Sequence, residues 1–313
     1  MSHRLLILGW HNIEPSWGFG GTSAEAGRRG FERQVRFLRR WTNVVPLRTA
    51  LEDLTAGRPL PPRAVALTFD DGYLDNATVA APVMHAAGLP ATFFLVPDFL
   101  SGRADAWWEK LGWSFAHATA GELRWDGELH DVSTPEARRS AMARVADQLK
   151  LLDSGERASA VEELGSRLRP AETAPPLGRL FMDWDEADRL VGHGHDIGSH
   201  TCGHPILSRE PAGSQEHELV DSRSALADHF QRPVDVLAYP NGRAQDYSDT
   251  TLELTRRAGY AFAVTTRTAL AGPRTAPAEM PRVLVDAETD LRSVVRSGLR
   301  VAKRLVVSRL RPH

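Results

Sequence analysis

The chain has a single cysteine, Cys202, in 313 residues. No intrachain disulfide can form, which suits a reducing compartment. There is no run of about 18 apolar residues, so no membrane-spanning helix is expected. The apolar stretch Leu5 to Leu8 is too short for a signal-peptide core and no small-residue cleavage site follows it. A cytoplasmic protein is the expectation. Neither charge sign dominates: 38 Lys and Arg against 40 Asp and Glu leave a formal net charge of -2. That balance gives no global reason to expect a nucleic-acid partner. No internal repeat of fixed period is visible. What remains is an ordinary globular composition, 42% apolar and 25% charged, in a length that allows one large domain or two modest ones.

Short apolar segments recur along the chain: 4–8 (RLLIL), 64–69 (AVALTF), 91–96 (ATFFLV), 196–200 (DIGSH), 234–239 (VDVLAY), 261–266 (AFAVTT) and 282–285 (RVLV). Helical patterns lie between them. One has Val79, Val83 and Ala87 on one face with Gly88 as its stop; others start at Asp183 and Ser248 as N-caps. Strands alternating with helices imply a parallel sheet or barrel. Residues 101 to about 180 break this rhythm. They hold Trp107, Trp108, Trp113 and a helix capped by Thr134 with Pro135 in its first turn, and they read as a helical insertion left at Pro170, Pro175 and Pro176. The domain reading is therefore one barrel over 1–290 with an insertion at about 101–180. The tail, 291–313, reads as a basic amphipathic helix: apolar Leu291, Val294, Val295, Leu299 and Ala302 share a face, and no acid follows Asp290. Such a helix either docks on its own domain or makes a peripheral contact with the inner face of an anionic membrane.

The chemistry begins in ALTFDDGYLDN, 66–76, where an apolar strand runs into two adjacent carboxylates, Asp70 and Asp71. Side chains alternate along a strand, so a turn at its end is needed for both acids to reach one cavity. Like charges so close repel, and something positive is needed to hold them. His200 and His204, four apart in GSHTCGHPILS, supply an answer. Two imidazoles and one carboxylate make a three-ligand site for zinc or a similar divalent metal, with positions left for water. One acid binds the metal; the other, unbound, takes a proton from the metal-bound water.

Taken in order, LTFDDGY, HDIGSHTCGHPILS and AYPNG resemble the polysaccharide deacetylases (NodB-like, carbohydrate esterase family four), over about 1–100 and 180–285. The resemblance implies an α/β fold, a distorted (β/α) barrel with fewer than eight strands, and metal-dependent hydrolysis of an N-acetyl group on an amino sugar. It implies Asp70 as general base and Asp71, His200 and His204 as ligands of a divalent metal, zinc first and cobalt or nickel next. Asn241 in AYPNGR matches the place of the backbone N–H that stabilises the oxyanion. The motif style is nearest to the permuted poly-N-acetylglucosamine deacetylase branch, whose Y-H-x-I start resembles WHNI here. That likeness implies His11 as the general acid, in place of the family's late L-x-x-H motif, which has no match here. The Arg that many members carry two residues before the motif's Pro is Ala238, and Arg282 is the substitute inferred.

Other residues receive structural readings: His193 and His195 beneath the metal loop, Cys202 as a small residue without a base partner, Asp75 and Asn76 as caps of the following helix. The Trp cluster at 107–113 reads as packing between insertion and barrel, with sugar stacking as the alternative. Trp10 and Trp17, next to His11, are the better sugar platforms by position. The leading substrate is an N-acetylated sugar, saccharide or lipid-linked. The competing functions are an amidohydrolase acting on a non-sugar C–N bond and a non-catalytic carbohydrate-binding barrel.

Overall fold

A computed structural model describes residues 3–171 and 180–296. The seven apolar segments form seven strands: β1 (Leu6–Trp10), β3 (Ala64–Phe69), β4 (Thr92–Leu95), β7 (Asp196–Ser199), β8 (Val236–Ala238), β9 (Phe262–Val264) and β10 (Val283–Leu284). They run parallel in the order β10-β1-β3-β4-β7-β8-β9, and a short β2 (Asn43–Val44) pairs with the start of β3. The sheet curls until its ends nearly meet. Met280 exchanges backbone hydrogen bonds with Ala263 and Thr265 beside β9, and three residues later β10 pairs with β1. The result is the distorted barrel expected from the sequence.

Alternation along the strands sorts two cores. Leu5, Ile7, Ala64, Ala66, Phe94 and Val264 belong to one cluster, joined by Leu47, Leu51 and Leu54 of α2 (Leu47–Thr55). Leu6, Leu8, Trp10, Val65, Leu67 and Phe69 belong to the other, against Phe31, Val35 and Leu38 of α1 (Ala24–Trp41) and Met84 of α3 (Ala81–Ala87). The helix stops and starts follow the sequence signals. Gly88 ends α3 at φ 66°, Asp183 closes a capping box on α8 (Trp184–Gly192), and Ser248 caps α10 (Asp249–Arg257).

The segment after β4 and the short α4 (Pro97–Leu100) is less purely helical than its composition suggested. It holds α5 (Trp107–Ala116), α6 (Pro135–Leu149) and α7 (Ser154–Leu168), which share a separate apolar cluster. It also holds a hairpin, β5 (Glu122–Trp125) with β6 (Glu128–Asp131). Asp126 and Gly127 both take positive φ at its tip, the left-handed pair that an Asp-Gly turn favours. The long α9 (Ala212–Phe230) lies outside β7. Of the basic tail, α11 (Leu291–Arg296) buries Leu291 and Val294 in the barrel's outer cluster. The rest of the expected amphipathic helix, 297–313, lies outside the described residues. Among the described residues no helix is long and apolar enough to cross a membrane.

Candidate active site

Asp70 and Asp71 follow β3 at its C-terminal end, the end at which parallel α/β folds gather their sites. Asp70 continues the alternation of Ala66 and Thr68 and stays on the barrel's inner side. Asp71 would point outward if the strand continued. Instead it takes φ 70°, and the Gly72 N–H closes a tight turn onto the Asp70 carbonyl at 2.9 Å. A left-handed Asp is tolerated where a strained Val or Ile would not be. This turn brings both buried acids to one place.

His200 follows β7, its N–H donating to Leu95 O at 2.9 Å. Its Nδ1 lies 2.7 Å from the Ala238 carbonyl at the end of β8. A neutral His200 donating there presents its Nε2 lone pair to the site, the carbonyl fixing the tautomer as in metal-ligating histidines. The loop then doubles back through two left-handed residues, Thr201 (φ 65°) and His204 (φ 63°). Thr201 Oγ1 accepts the His204 N–H at 3.1 Å. Glu218 of α9 receives the Cys202 and Gly203 N–H groups on one oxygen, at 2.8 and 2.9 Å. A β-branched residue at positive φ is costly, about 1–3 kcal/mol, and persists because these bonds over-determine the loop.

Asp71 Oδ1 sits 3.3 Å from His200 Nε2 and 3.4 Å from His204 Nε2, with all three residues buried. Oδ1 accepts no hydrogen bond among the described residues. An acceptor oxygen facing two imidazole nitrogens, closed off from water, is a donor set that fits a cation. The electrostatics agree. Burial pushes the His204 pKa down to about 3, leaving the neutral form a ligand needs. Burial works to raise Asp71, but contact with His200 and the electrostatic pull of the His204 and His11 rings outweigh it and hold the carboxyl well below its usual range. Burial also opposes charge on His200, yet Asp71 and Asp70 between them raise its proton affinity. The cavity attracts positive charge.

Asp70 is held from below. Arg282, fully buried, donates to both its oxygens at 2.7 Å. The guanidinium is fixed in turn by Thr68 Oγ1 at 3.2 Å, Thr265 O at 3.3 Å and the face of Phe94. Burial alone would raise the Asp70 pKa; the charge and hydrogen bonds of Arg282, aided by His200, bring it below the ordinary value. The substitute inferred for Ala238 is therefore in place, reached from the closing strand rather than from β8.

His11 is delivered by strand register. Trp10 pairs with Phe69, so the next residues, His11 and Asp70, lie side by side, and the Asp70 N–H donates to Trp10 O at 2.9 Å. The half-buried imidazole stacks on Phe19 at 4.7 Å and lies close enough to act electrostatically on Asp70, Asp71 and His204. Asn241 takes φ 58°, in a turn closed by the Gly242 N–H to Pro240 O at 2.6 Å, three residues past the carbonyl that fixes His200. Its carbonyl accepts from Thr266 Oγ1 at 2.9 Å, while its side-chain nitrogen is buried with no partner among the described residues.

Three sequence readings need correction. Trp10 is not a sugar platform: it is fully buried, stacked on Phe69 at 5.3 Å, with Nε1 donating to Gln34. Asp75 does not cap the following helical turn. Its Oδ2 receives the Ile13 and Glu14 N–H groups, both at 2.7 Å, and the Asn76 amide donates to His11 O at 2.8 Å. The pair anchors the His11 loop instead. Trp108 packs between insertion and barrel as expected, its ring also 4.7 Å from His204 and its Nε1 donating to Tyr73 Oη at 2.8 Å, but Trp107 packs within the insertion's own cluster. His193 and His195 are structural: His195 is buried edge-on against Phe93 and His193 stacks on His85. Burial pushes the Cys202 thiol up to about 12, which leaves it protonated and unfit as a nucleophile. Sequence reasoning missed Glu109, Tyr73 and Glu218. Glu109 is fully buried, and burial raises its pKa.

A family model described as "Polysaccharide deacetylase" matches residues 57–263. A curated protein of Bacillus subtilis (strain 168), "Putative polysaccharide deacetylase YxkH", is 22% identical over 265 residues, which is 84% of this chain and 64% of that one. The "Poly-beta-1,6-N-acetyl-D-glucosamine N-deacetylase" of Escherichia coli (strain K12) is 30% identical over 103 residues, 32% of this chain and 15% of that one. The chain thus spans less than two thirds of the length of either relative. Among solved structures, IcaB from Ammonifex degensii superposes with a TM-score of 0.59 at 20% identity, covering 97% of each chain. The Streptococcus pyogenes deacetylase PplD in complex with acetate gives 0.60 at 17% identity, covering 92% of this chain and 97% of that one. At such identities these two structures speak for the fold.

Proposed function

The chain belongs to the polysaccharide deacetylase family, and from that membership we propose that it hydrolyses the N-acetyl group of an amino sugar in a saccharide or glycoconjugate, releasing acetate. The observation that carries this reading is the pairing of one carboxylate facing two imidazoles with a second carboxylate gripped by an arginine. The two acids are thereby given different tasks.

Asp71, His200 and His204 are the residues to hold a divalent cation, zinc first, which when bound supplies Lewis-acid polarisation of the amide carbonyl and acidifies water. Asp70, kept ionised by Arg282 and free of the ligand set, removes a proton from the attacking water. The Asn241 backbone N–H is the donor assigned to the oxygen that gains charge as the carbonyl carbon becomes tetrahedral. His11, next to Asp70, gives its proton to the nitrogen as the C–N bond breaks, so that the amine leaves neutral and acetate remains. The flanking Trp108 ring offers a sugar a stacking face.

The substrate named for the Escherichia coli relative makes β-1,6-linked N-acetylglucosamine oligomers the first probe. Acetate release that requires zinc, stops with a chelator and is lost in Asp70→Asn supports the reading. Zinc-loaded protein that releases no acetate from these or from β-1,4-linked oligomers points instead to a non-sugar amide or to a binding barrel. Location remains a proposal from the sequence: a cytoplasmic enzyme with a peripheral membrane contact through the basic tail, 291–313, tested by vesicle partitioning with and without that segment.

A further inference from the structure

We propose that Glu109, carried by the inserted helix α5, is a positioning residue for His11, and that the insertion thereby completes the acid side of the active site. This rests on the reading of His11 as the general acid.

One buried carboxylate of the insertion binds the His11 loop through hydrogen bonds. Glu109 Oε1 accepts from Ser16 Oγ at 2.7 Å and from Tyr73 Oη at 2.6 Å, while Oε2 accepts the Gly18 N–H at 2.8 Å. Ser16 passes the constraint along. Its N–H donates to Phe19 O at 2.8 Å, its Oγ accepts the Phe19 N–H at 3.2 Å, and Asn12 Nδ2 donates to the same Oγ at 3.3 Å. Phe19 is the ring stacked on His11, and it also meets Tyr73 edge-on at 6.0 Å. One carboxylate therefore fixes the residue after His11, the ring over His11 and the tyrosine that follows the Asp70–Asp71 turn.

The approach is closer than side chains allow. A Cβ on Gly18 would stand 2.5 Å from Trp108 Cδ1 and 2.9 Å from Glu109 Oε1. A Cβ on Gly112, one turn along α5, would stand 2.1 Å from Trp17 O. Two glycines, one on each partner, let loop and helix meet backbone to backbone. A contact this tight serves placement, because a general acid must be within hydrogen-bond reach of its nitrogen. Core burial alone would not need a carboxylate bonded to three donors from two other segments.

The test uses the zinc-loaded full chain and two probes. Hydrolysis of a β-1,6-linked N-acetylglucosamine oligomer needs a proton on the leaving nitrogen; hydrolysis of 4-nitrophenyl acetate does not, since its leaving phenolate is stable. The quantity read is the ratio of amide to ester kcat. His11→Ala should lower that ratio about 100-fold or more. Glu109→Ala should lower it about 10- to 100-fold, in kcat more than in KM, because misplacing a catalytic group by about 1 Å has that effect. Glu109→Gln, which keeps an acceptor, should recover part of it. In the double variant His11→Ala/Glu109→Ala the ratio should fall no further than in His11→Ala alone. Gly18→Ala, which pushes the loop off α5 while leaving the carboxylate in place, should reproduce the loss, and it decides the matter if Glu109→Ala does not fold. If His11→Ala keeps the ratio, the acid assignment falls and the proposal with it. If His11→Ala loses the ratio while Glu109→Ala and Gly18→Ala keep it, or if the double variant is additive, the assignment stands and the positioning role is overturned.

Discussion

Arg282 and Asp70, 212 positions apart, meet through two parallel 2.7 Å hydrogen bonds in the interior of the barrel. Bidentate geometry of this kind fixes both the charge and the orientation of a carboxylate. Removing Arg282 leaves a buried acid without a counter-charge. Arg282→Met should cost about 3–5 kcal/mol of stability, read from denaturant midpoints. Asp70 is held below its ordinary pKa, so its ionised form is present until the pH falls through that lowered value. In a folded Arg282→Lys variant the acid limb of the pH–rate profile should move to higher pH. An unmoved limb would dissociate Arg282 from the ionisation of Asp70.

The cation site predicts a thermal signature. Zinc binding the folded form alone should raise the melting temperature, and a chelator should reverse it. The rise should vanish in His204→Ala and in Asp71→Asn, because each removes one of the three converging donors. An equal rise in all three proteins would place the metal elsewhere.

Glu218 ties down two consecutive N–H groups between the histidines. It is not one of the three converging donors, yet it holds the loop that presents His204. Loss of such outer support commonly costs 10- to 100-fold in metal affinity. Glu218→Ala should show a fall of that size in competition against a chromogenic chelator. The protein should remain folded, since the barrel core is untouched.

Asp75 carries a pH signature of its own. Burial is the main cause that lifts its pKa from 3.8 to about 6, against the two N–H groups it accepts. A folded pKa above the unfolded one means that the folded chain binds the proton more tightly. The stabilisation is full below the unfolded value and is lost as the pH rises through about 6. Melting temperatures between pH 4 and pH 7 should therefore carry a downward contribution that Asp75→Asn removes. A native and a variant curve of the same slope in this window would contradict it.

Much of this was legible in the chain. Each apolar run of the barrel became a strand because short, β-branched segments bounded by polar turns have few other uses in an alternating α/β chain. The convergence of Asp71, His200 and His204 beside Asp70 could be expected because their types and spacing carry chemistry. Arg282 could be named only because the family's arginine place is Ala238 here, since nothing local marks an arginine that reaches Asp70 from another strand. Glu109 was beyond reach for the same reason: its partners are 36, 91 and 93 positions away, and WWEK reads as packing. Asp75 looked like a cap because caps are local, whereas its bonds run 61 and 62 positions back to the first loop. The hairpin at Asp126–Gly127 is a plain omission, since Asp-Gly between short alternating segments is a strong turn signal.

The closing strand makes the order of assembly matter. A chain folded only through β9 already contains Asp71, His200 and His204, the donors proposed for the cation. It lacks Arg282, the main counter-charge for Asp70, whose burial then works toward the protonated form. On the proposed roles, metal uptake and catalytic competence are separable events, and the second waits on the seam at 280–284. On the same proposed roles, any force that peels that short strand from β1 silences the base and spares the three donors.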